Sequence, residues 1–189
     1  MLDPQPPCDL SALSLAEIAQ LAEDRKLPPV ASWSPEHCGD SEMRIARDGT
    51  WYHEGEPIKR PAMARLFSSI LRREDDGGYV LVTPAEKLSI AVEDAPFVAV
   101  ELKSEGKGEA RRVAFRLNTG DLTVADANHS LVLRNGKDGP LPYLHVRDGL
   151  DALLARAVYY ELVELVLAEA YQPLGLWSDG VFFVLENNA

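Results

Sequence analysis

The chain has 189 residues, 46% hydrophobic and 26% charged, the balance of a globular protein able to bury one large core or two small ones. Its formal net charge of −11 argues against nonspecific attraction to duplex DNA or to an anionic membrane surface. No apolar run approaches the ~18 residues that span a bilayer, and the N-terminus MLDPQPPCD lacks the basic and apolar regions of a secretory signal, so a cytoplasmic protein is expected.

Met1–Asp9 carries three prolines and little to bury, and reads as a loose tail. Ser14 opens a helix: Glu17 lies three residues on, the capping-box spacing, and Leu13 and Ile18 occupy staple positions. Leu15, Ile18, Ala19 and Ala22 form its apolar face, Arg25 and Lys26 suit its last turn, and Pro28-Pro29 stop it. Residues 28–40 read as a proline-punctuated linker, in which Trp33 either anchors on the body or stacks on a ligand. Asp48-Gly49, between MRIAR and TWYH, is a two-residue hairpin signal. Beyond a turn-like 57–61, the spacing of Met63, Leu66, Phe67, Ile70 and Leu71 predicts a helix over 61–73 with one buried face.

The sheet signal is clearest over 79–102. Tyr79–Thr83 is a nearly continuous apolar run, as in a strand covered on both faces. Pro84 donates no N–H and holds Thr83 extended, so the ladder breaks there. Leu88, Ile90 and Val92 then alternate with Ser89, Ala91 and Glu93, and a third strand follows Ala95-Pro96. Further on, SEGKGEA marks a hairpin tip before RRVAFRLN, whose Val113, Phe115 and Leu117 alternate inward. Residues 122–124 and 131–133 are short strands, and 135–140 a loop. Asp148 is the expected N-cap of the longest helix, over 148–170, with Leu150, Leu153, Leu154, Ala157, Val158, Leu162, Leu165 and Val166 on its buried side. LGLW and VFFVL close the chain as a hairpin around Ser178-Asp179-Gly180.

Several of these stretches together resemble one family. DGTWYHEGEPIKR (48–60), PAMARLFSSILRRE (61–74), DGGYVLVTPAEKLSIAVEDAPF (76–97), PYLHVRDGLDALLARAVYYELVE (142–164) and GLWSDGVFF (175–183) occur in the order of domain-of-unknown-function family 1285. The likeness runs from about Cys38 to the C-terminus. What it implies is a bacterial α+β protein with a duplicated core and antiparallel sheets, the second half pleckstrin-homology-like. It also implies a nucleotide-based ligand where the halves meet, and a role in signalling. The divisions expected are 1–40 (tail, short helix and linker), 41–94 (first half) and 95–189 (second half). A repeated order of elements agrees with duplication: a Tyr-containing strand (Tyr52 or Tyr143), a helix, then a glycine-led apolar strand (from Gly78 or Gly180).

Two constellations are candidates for binding. Residues 57–73 hold Lys59, Arg60, Arg65, Arg72 and Arg73 and no acid, a basic face able to hold phosphate or an acidic partner, or simply to complement the helix C-terminus. The second is Thr83, Glu86 and Lys87 at the strand break with Asp94 one strand-length later, either a ligand site or a solvated turn. The candidate ligand-binding set is therefore Arg60, Arg65, Thr83, Glu86, Lys87 and Asp94. Neither a metal nor a cofactor is expected. His37, His53, His129 and His145 are scattered, Cys8 and Cys38 build no framework, and Gly106-Lys107-Gly108 lacks the pattern of a phosphate loop. With no nucleophile-and-base motif in the chain, a non-catalytic ligand-binding or signalling module is the leading expectation. A hydrolase or transferase of a nucleotide-like substrate, with Glu86 or Asp94 as base, is one alternative. A scaffold for a signalling protein is the other.

Overall fold

The computed structural model describes residues 13–186; the tail 1–9 and Cys8 lie outside them. Helix α1 (Leu15–Asp24) starts where its capping box puts it, with the Ser14 N–H donating to Glu17 Oε2 at 2.8 Å and the Glu17 N–H returning to Ser14 Oγ at 3.3 Å. Leu15 and Ile18 are buried in one cluster with Ala114, and Leu13 packs against it. The helix ends at Asp24, so Arg25 and Lys26 lie past its last turn, and Arg25 pairs with Asp121 instead.

The chain divides into two units, one built on 26–97 and the other on 98–147 and 151–186 with α1. In the first, strands β1 (His37–Ile45), β2 (Trp51–His53), β3 (Glu56–Pro57), β4 (Leu71–Arg73), β5 (Tyr79–Val82) and β6 (Glu86–Val92) lie in the order β3-β2-β1-β6-β5-β4. These are two antiparallel three-stranded meanders side by side. The seam between them, β1 against β6, is parallel, so the sheet is mixed rather than wholly antiparallel. Strand β1 begins at His37, inside the expected linker; before it the chain makes only a short 3-10 turn at Val30–Ser32. Asp48-Gly49 does turn the β1–β2 hairpin, but as a three-residue loop: Ala46 and Thr50 pair at 2.9 Å, and Gly49 takes the left-handed φ of 85° that closes such loops.

Helix α2 (Pro61–Ser69) joins the two meanders, and it is shorter than its apolar spacing predicts. Leu71, Arg72 and Arg73 are strand β4, paired with β5, so the two arginines do not complement a helix end. Arg72 instead donates to the Val30 and Trp33 carbonyls at 2.9 and 2.8 Å, and Arg73 lies over the Tyr79 ring at 5.6 Å. The expected buried face is divided as well. Leu71 is buried on its strand, Phe67 and Ile70 are half-buried, and Met63 and Leu66 are 40% and 61% exposed.

The second unit follows the same plan. Strands β7 (Phe97–Glu105), β8 (Arg112–Leu117), β9 (Leu122–Val124), β10 (Leu131–Gly136), β11 (Gly139–Arg147) and β12 (Leu150–Leu154) lie in the order β10-β11-β12-β7-β8-β9. In both sheets the first strand of the first meander meets the last strand of the second. The chain thus holds two similar six-stranded halves, as a duplicated α+β fold requires. The expected loop at 135–140 is a tight hairpin with only Lys137-Asp138 outside the strands.

The long helix expected over 148–170 is the largest correction. Asp148 and Gly149 both have positive φ, 44° and 76°, and make a two-residue turn between β11 and β12. All five residues of β12 are buried, and the helix that follows, α3, spans only Arg156–Glu169. An apolar run covered on both faces has no period of its own, so LDALL fitted a helix as well as a strand. Val158, Leu162 and Val166 form the buried stripe of α3, while Ala157 is exposed. The terminal hairpin of β13 (Gly175–Ser178) and β14 (Val181–Val184) is as expected. Ser178 fixes it to the sheet, accepting from the Val113 N–H at 2.9 Å and donating to the Ala125 carbonyl at 2.6 Å. Among the described residues no helix is long and apolar enough to cross a membrane.

Candidate functional site

The topology of the first half creates a cavity. Helix α2 carries the chain from β3 at one sheet edge to β4 at the other. Five strand spacings amount to about 24 Å, whereas nine helical residues extend only about 13–14 Å. So short a helix cannot cover the whole width of the sheet it crosses. Beneath it lies a cavity of about 430 Å³.

Its walls come from seven parts of the unit. Met63, Phe67 and Ile70, at i, i+4 and i+7, are the side of α2 that faces the sheet, and Ile58 precedes them. Ser41 and Met43 come from β1, His53 from β2, Leu81 from β5, and Glu86 and Leu88 from β6, with Thr83 from the β5–β6 turn. Behind Phe67 the Trp51 ring is stacked at 6.3 Å between centroids; its Nε1 is buried and has no hydrogen-bond partner among the described residues. The methionines give the walls unbranched, adaptable side chains.

A bulge shapes the β1 side. The β1–β6 register skips from Asp40↔Ser89 to Met43↔Ile90, so Ser41 and Glu42 are extra residues. Asp40 Oδ1 accepts from the Glu42 N–H at 2.8 Å, and Glu42 is held at a φ of 55°, a strained value for a residue with a side chain. Ser41 is turned toward the cavity, with its hydroxyl tied to the Ser89 carbonyl at 2.7 Å.

Of the six residues predicted for the site, Thr83 and Glu86 line this cavity. The turn holding them satisfies its own backbone: the Thr83 N–H reaches the Glu86 carbonyl at 2.9 Å, and the Ala85 and Glu86 N–H groups donate to Thr83 Oγ1 at 3.3 and 3.2 Å. The break therefore does not leave backbone groups in search of a ligand, because the threonine hydroxyl meets them. Lys87, between Glu86 and Leu88 on a strand, points to the opposite face and pairs with Glu74 at 3.1 Å. That pair, and above all the Arg72 hydrogen bond at 2.7 Å, holds the Glu74 carboxyl below the usual range. Asp94 follows the far end of β6, about 20 Å from Glu86 at ~3.3 Å per residue, and pairs with Arg47 at 3.2 Å. Arg60 is exposed just before α2, between the lining residues Ile58 and Met63, and has no carboxylate partner among the described residues. Arg65, two positions after Met63, lies on the helix side turned from the cavity and is half-buried.

Ser41, Met43 and His53 were not foreseen. The polar triplet Asp40-Ser41-Glu42, interrupting an alternating strand, was the available sign of the bulge. Nothing in the sequence marks His53. Among the described residues no cluster of His, Cys, Asp and Glu could hold a metal ion.

In the second half, the half-exposed His145 and exposed Arg134 share the buried Asp151 at 2.9 and 2.7 Å. Arg111 is buried and bonded to the half-buried Glu169 and Ser104, and its hydrogen bond holds the Glu169 carboxyl below the usual range. Both clusters pair buried charges within the fold, although Arg111 Nε is buried and has no hydrogen-bond partner among the described residues.

Comparison with known proteins accords with the architecture. The domain of unknown function (DUF1285), N-terminal domain, matches residues 28–95, and the corresponding C-terminal domain matches 96–185. A DUF1285 family protein from Silicibacter pomeroyi DSS-3, known from a crystal structure, is 44% identical with a TM-score of 0.80 over 93% of this chain and 96% of its own. Another, from Shewanella baltica OS155, is 29% identical with a TM-score of 0.53 over 68% of this chain and 96% of its own. No curated protein matches the chain. With family domains spanning nearly all of its described length and a relative so similar in sequence and fold, the chain belongs to the DUF1285 family.

Proposed function

We propose that the protein is a non-catalytic ligand-binding module and that the cavity under α2 receives the ligand. The observation that carries this reading is the cavity itself, preformed by a helix too short to seal the sheet. Its volume of about 430 Å³ falls among those of small-molecule sites, and its walls are apolar with a few polar groups, as such sites are. The strained Glu42 beside it adds support, since bulges and strained residues gather at functional sites.

A nucleotide-based ligand suits the arrangement. Its planar base would lie among Phe67, Ile70 and the methionines, while its phosphate stays outside near the exposed Arg60. A cytoplasmic signalling role is the setting proposed for it. The enzymatic alternative is less well supported, because Lys87 and Asp94 are engaged in ion pairs and lie at opposite ends of β6. One observation favours a second reading, a scaffold for an acidic signalling partner: Leu66 is 61% exposed on the helix that follows Lys59 and Arg60.

A thermal-shift screen against nucleosides, nucleotides and nucleotide second messengers tests the first reading. A ligand that binds only the folded chain raises the melting temperature with concentration. A screen in which nothing raises it, at concentrations up to the millimolar range, rules out a nucleotide-binding module.

A further inference from the structure

We infer that the cavity selects its ligand by a pair of adjacent N–H donors, accepted by the Glu86 carboxylate, so that the group entering it is a planar heterocycle with a guanine-like or amidine-like edge. The inference rests on the cavity being the ligand site and adds which chemistry it admits. Four lining residues are polar: Ser41, His53, Thr83 and Glu86. Both hydroxyls are already committed. Ser41 Oγ donates to the Ser89 carbonyl at 2.7 Å and accepts from the Met43 N–H at 3.2 Å. Thr83 Oγ1 accepts from two backbone N–H groups of its own turn and lies 3.4 Å from the Glu86 carbonyl.

The Glu86 side chain differs. Its backbone closes the turn, but its carboxylate has no partner among the described residues, and its neighbour Lys87 is engaged by Glu74. A half-buried carboxylate on an apolar wall accepts hydrogen bonds and cannot donate them while ionised. An anionic group placed beside it would meet a like charge away from water, which is unfavourable. The basic residues lie elsewhere: Arg60 stands outside the lining, and Arg65 is on the far side of α2. His53 is exposed and stands at the rim, so the interior is an acceptor site in an apolar box, and any phosphate belongs outside it.

Two carboxylate oxygens match two parallel N–H groups. The guanine edge offers such a pair, and benzamidine offers it without a sugar. Adenine presents one amine beside a ring acceptor, which would face the second oxygen without a hydrogen. Loss of a matched bidentate pair costs about tenfold or more in affinity.

Calorimetry of the full chain with guanosine, adenosine and benzamidine tests this. The expected result is binding of guanosine and benzamidine, with adenosine weaker by roughly tenfold or more. Glu86→Gln is the informative variant, because its amide replaces one acceptor by a donor. It should lose guanosine and benzamidine binding by a similar factor and gain affinity for adenosine, a reversal that a merely structural role does not produce. An unchanged melting temperature would show that the variant is folded. Adenosine binding as tightly as guanosine, or a guanosine affinity untouched by Glu86→Gln, overturns the inference while leaving the ligand-binding reading standing. Failure of all three probes, with nucleotides still active in the thermal-shift screen, also overturns it. Failure of every compound in both experiments overturns the two together.

Discussion

The two halves have the same strand order but connect their meanders differently, and the connection in the first half leaves the cavity beneath α2. In the first, thirteen residues link β3 to β4, nine of them in α2, and the helix spans an open sheet without sealing it. In the second, the link from β9 to β10 is residues 125–130, which fold into a tight turn where the Asp126 and His129 backbones pair at 3.2 Å. So few residues cannot cross a flat six-stranded sheet and still turn, so its outer strands must curl toward each other. The terminal hairpin fits that curl, with β13 in contact with β8 and β14 with β10. Composition has little to do with the outcome, since both halves are rich in apolar strands. The length and place of one connection determine how much of a sheet's face the chain can cover.

Substitutions on the two helices sharpen the contrast. Leu162, 1% exposed on α3, belongs to a closed core. Leu162→Ala should cost about 2–5 kcal/mol in a denaturant titration, the range for a buried leucine truncation. Phe67→Ala removes a half-buried ring that already borders open space. Its cost should be smaller, about 1–2 kcal/mol, for partial burial and one aromatic contact. Equal losses at both positions would mean that the first half is sealed in solution, and would break the comparison.

The smallest expected effect is at Glu74, whose carboxyl is stabilised in its charged form by Arg72 and then Lys87. A carboxyl lowered on folding contributes stability above its unfolded pKa, near 4–5, and loses that contribution as pH falls through its folded value. Glu74→Gln should thus destabilise by roughly 0.5–1 kcal/mol at neutral pH. The difference from wild type should shrink on acidification below about pH 4. A difference that grows in acid contradicts the ion pair.

Much of the fold was legible from local chemistry. Capping at Ser14 and Glu17 placed α1, and Pro84 and Ala95-Pro96 separated β5, β6 and β7. The errors came where one residue pattern serves two structures. Asp148 suits a helix N-cap and, followed by Gly149, also a hairpin turn; only pairing of the flanking strands chooses between them. Leu71 continued the helical spacing of α2 but joined the sheet beside β5. At the site, Thr83 and Glu86 were legible because they share one turn. The apolar walls of the cavity were not, because they come from strands and a helix separated by up to 47 positions, from Ser41 to Leu88. The repeat shows in the sequence as a strand, a helix and a glycine-led strand, whereas in the fold the sheets carry the equivalence.

The most direct test of the central claim is to fill the cavity. Met63 lines it and is 40% exposed on α2, so a larger side chain can enter there without displacing a closed core. Met63→Trp should keep or raise the melting temperature, because apolar surface is buried where space exists. Binding of whichever nucleoside the wild-type chain takes up should fall at least tenfold by calorimetry. A folded Met63→Trp chain that binds the same nucleoside with wild-type affinity would contradict the account, because the ligand site would then lie outside the cavity beneath α2.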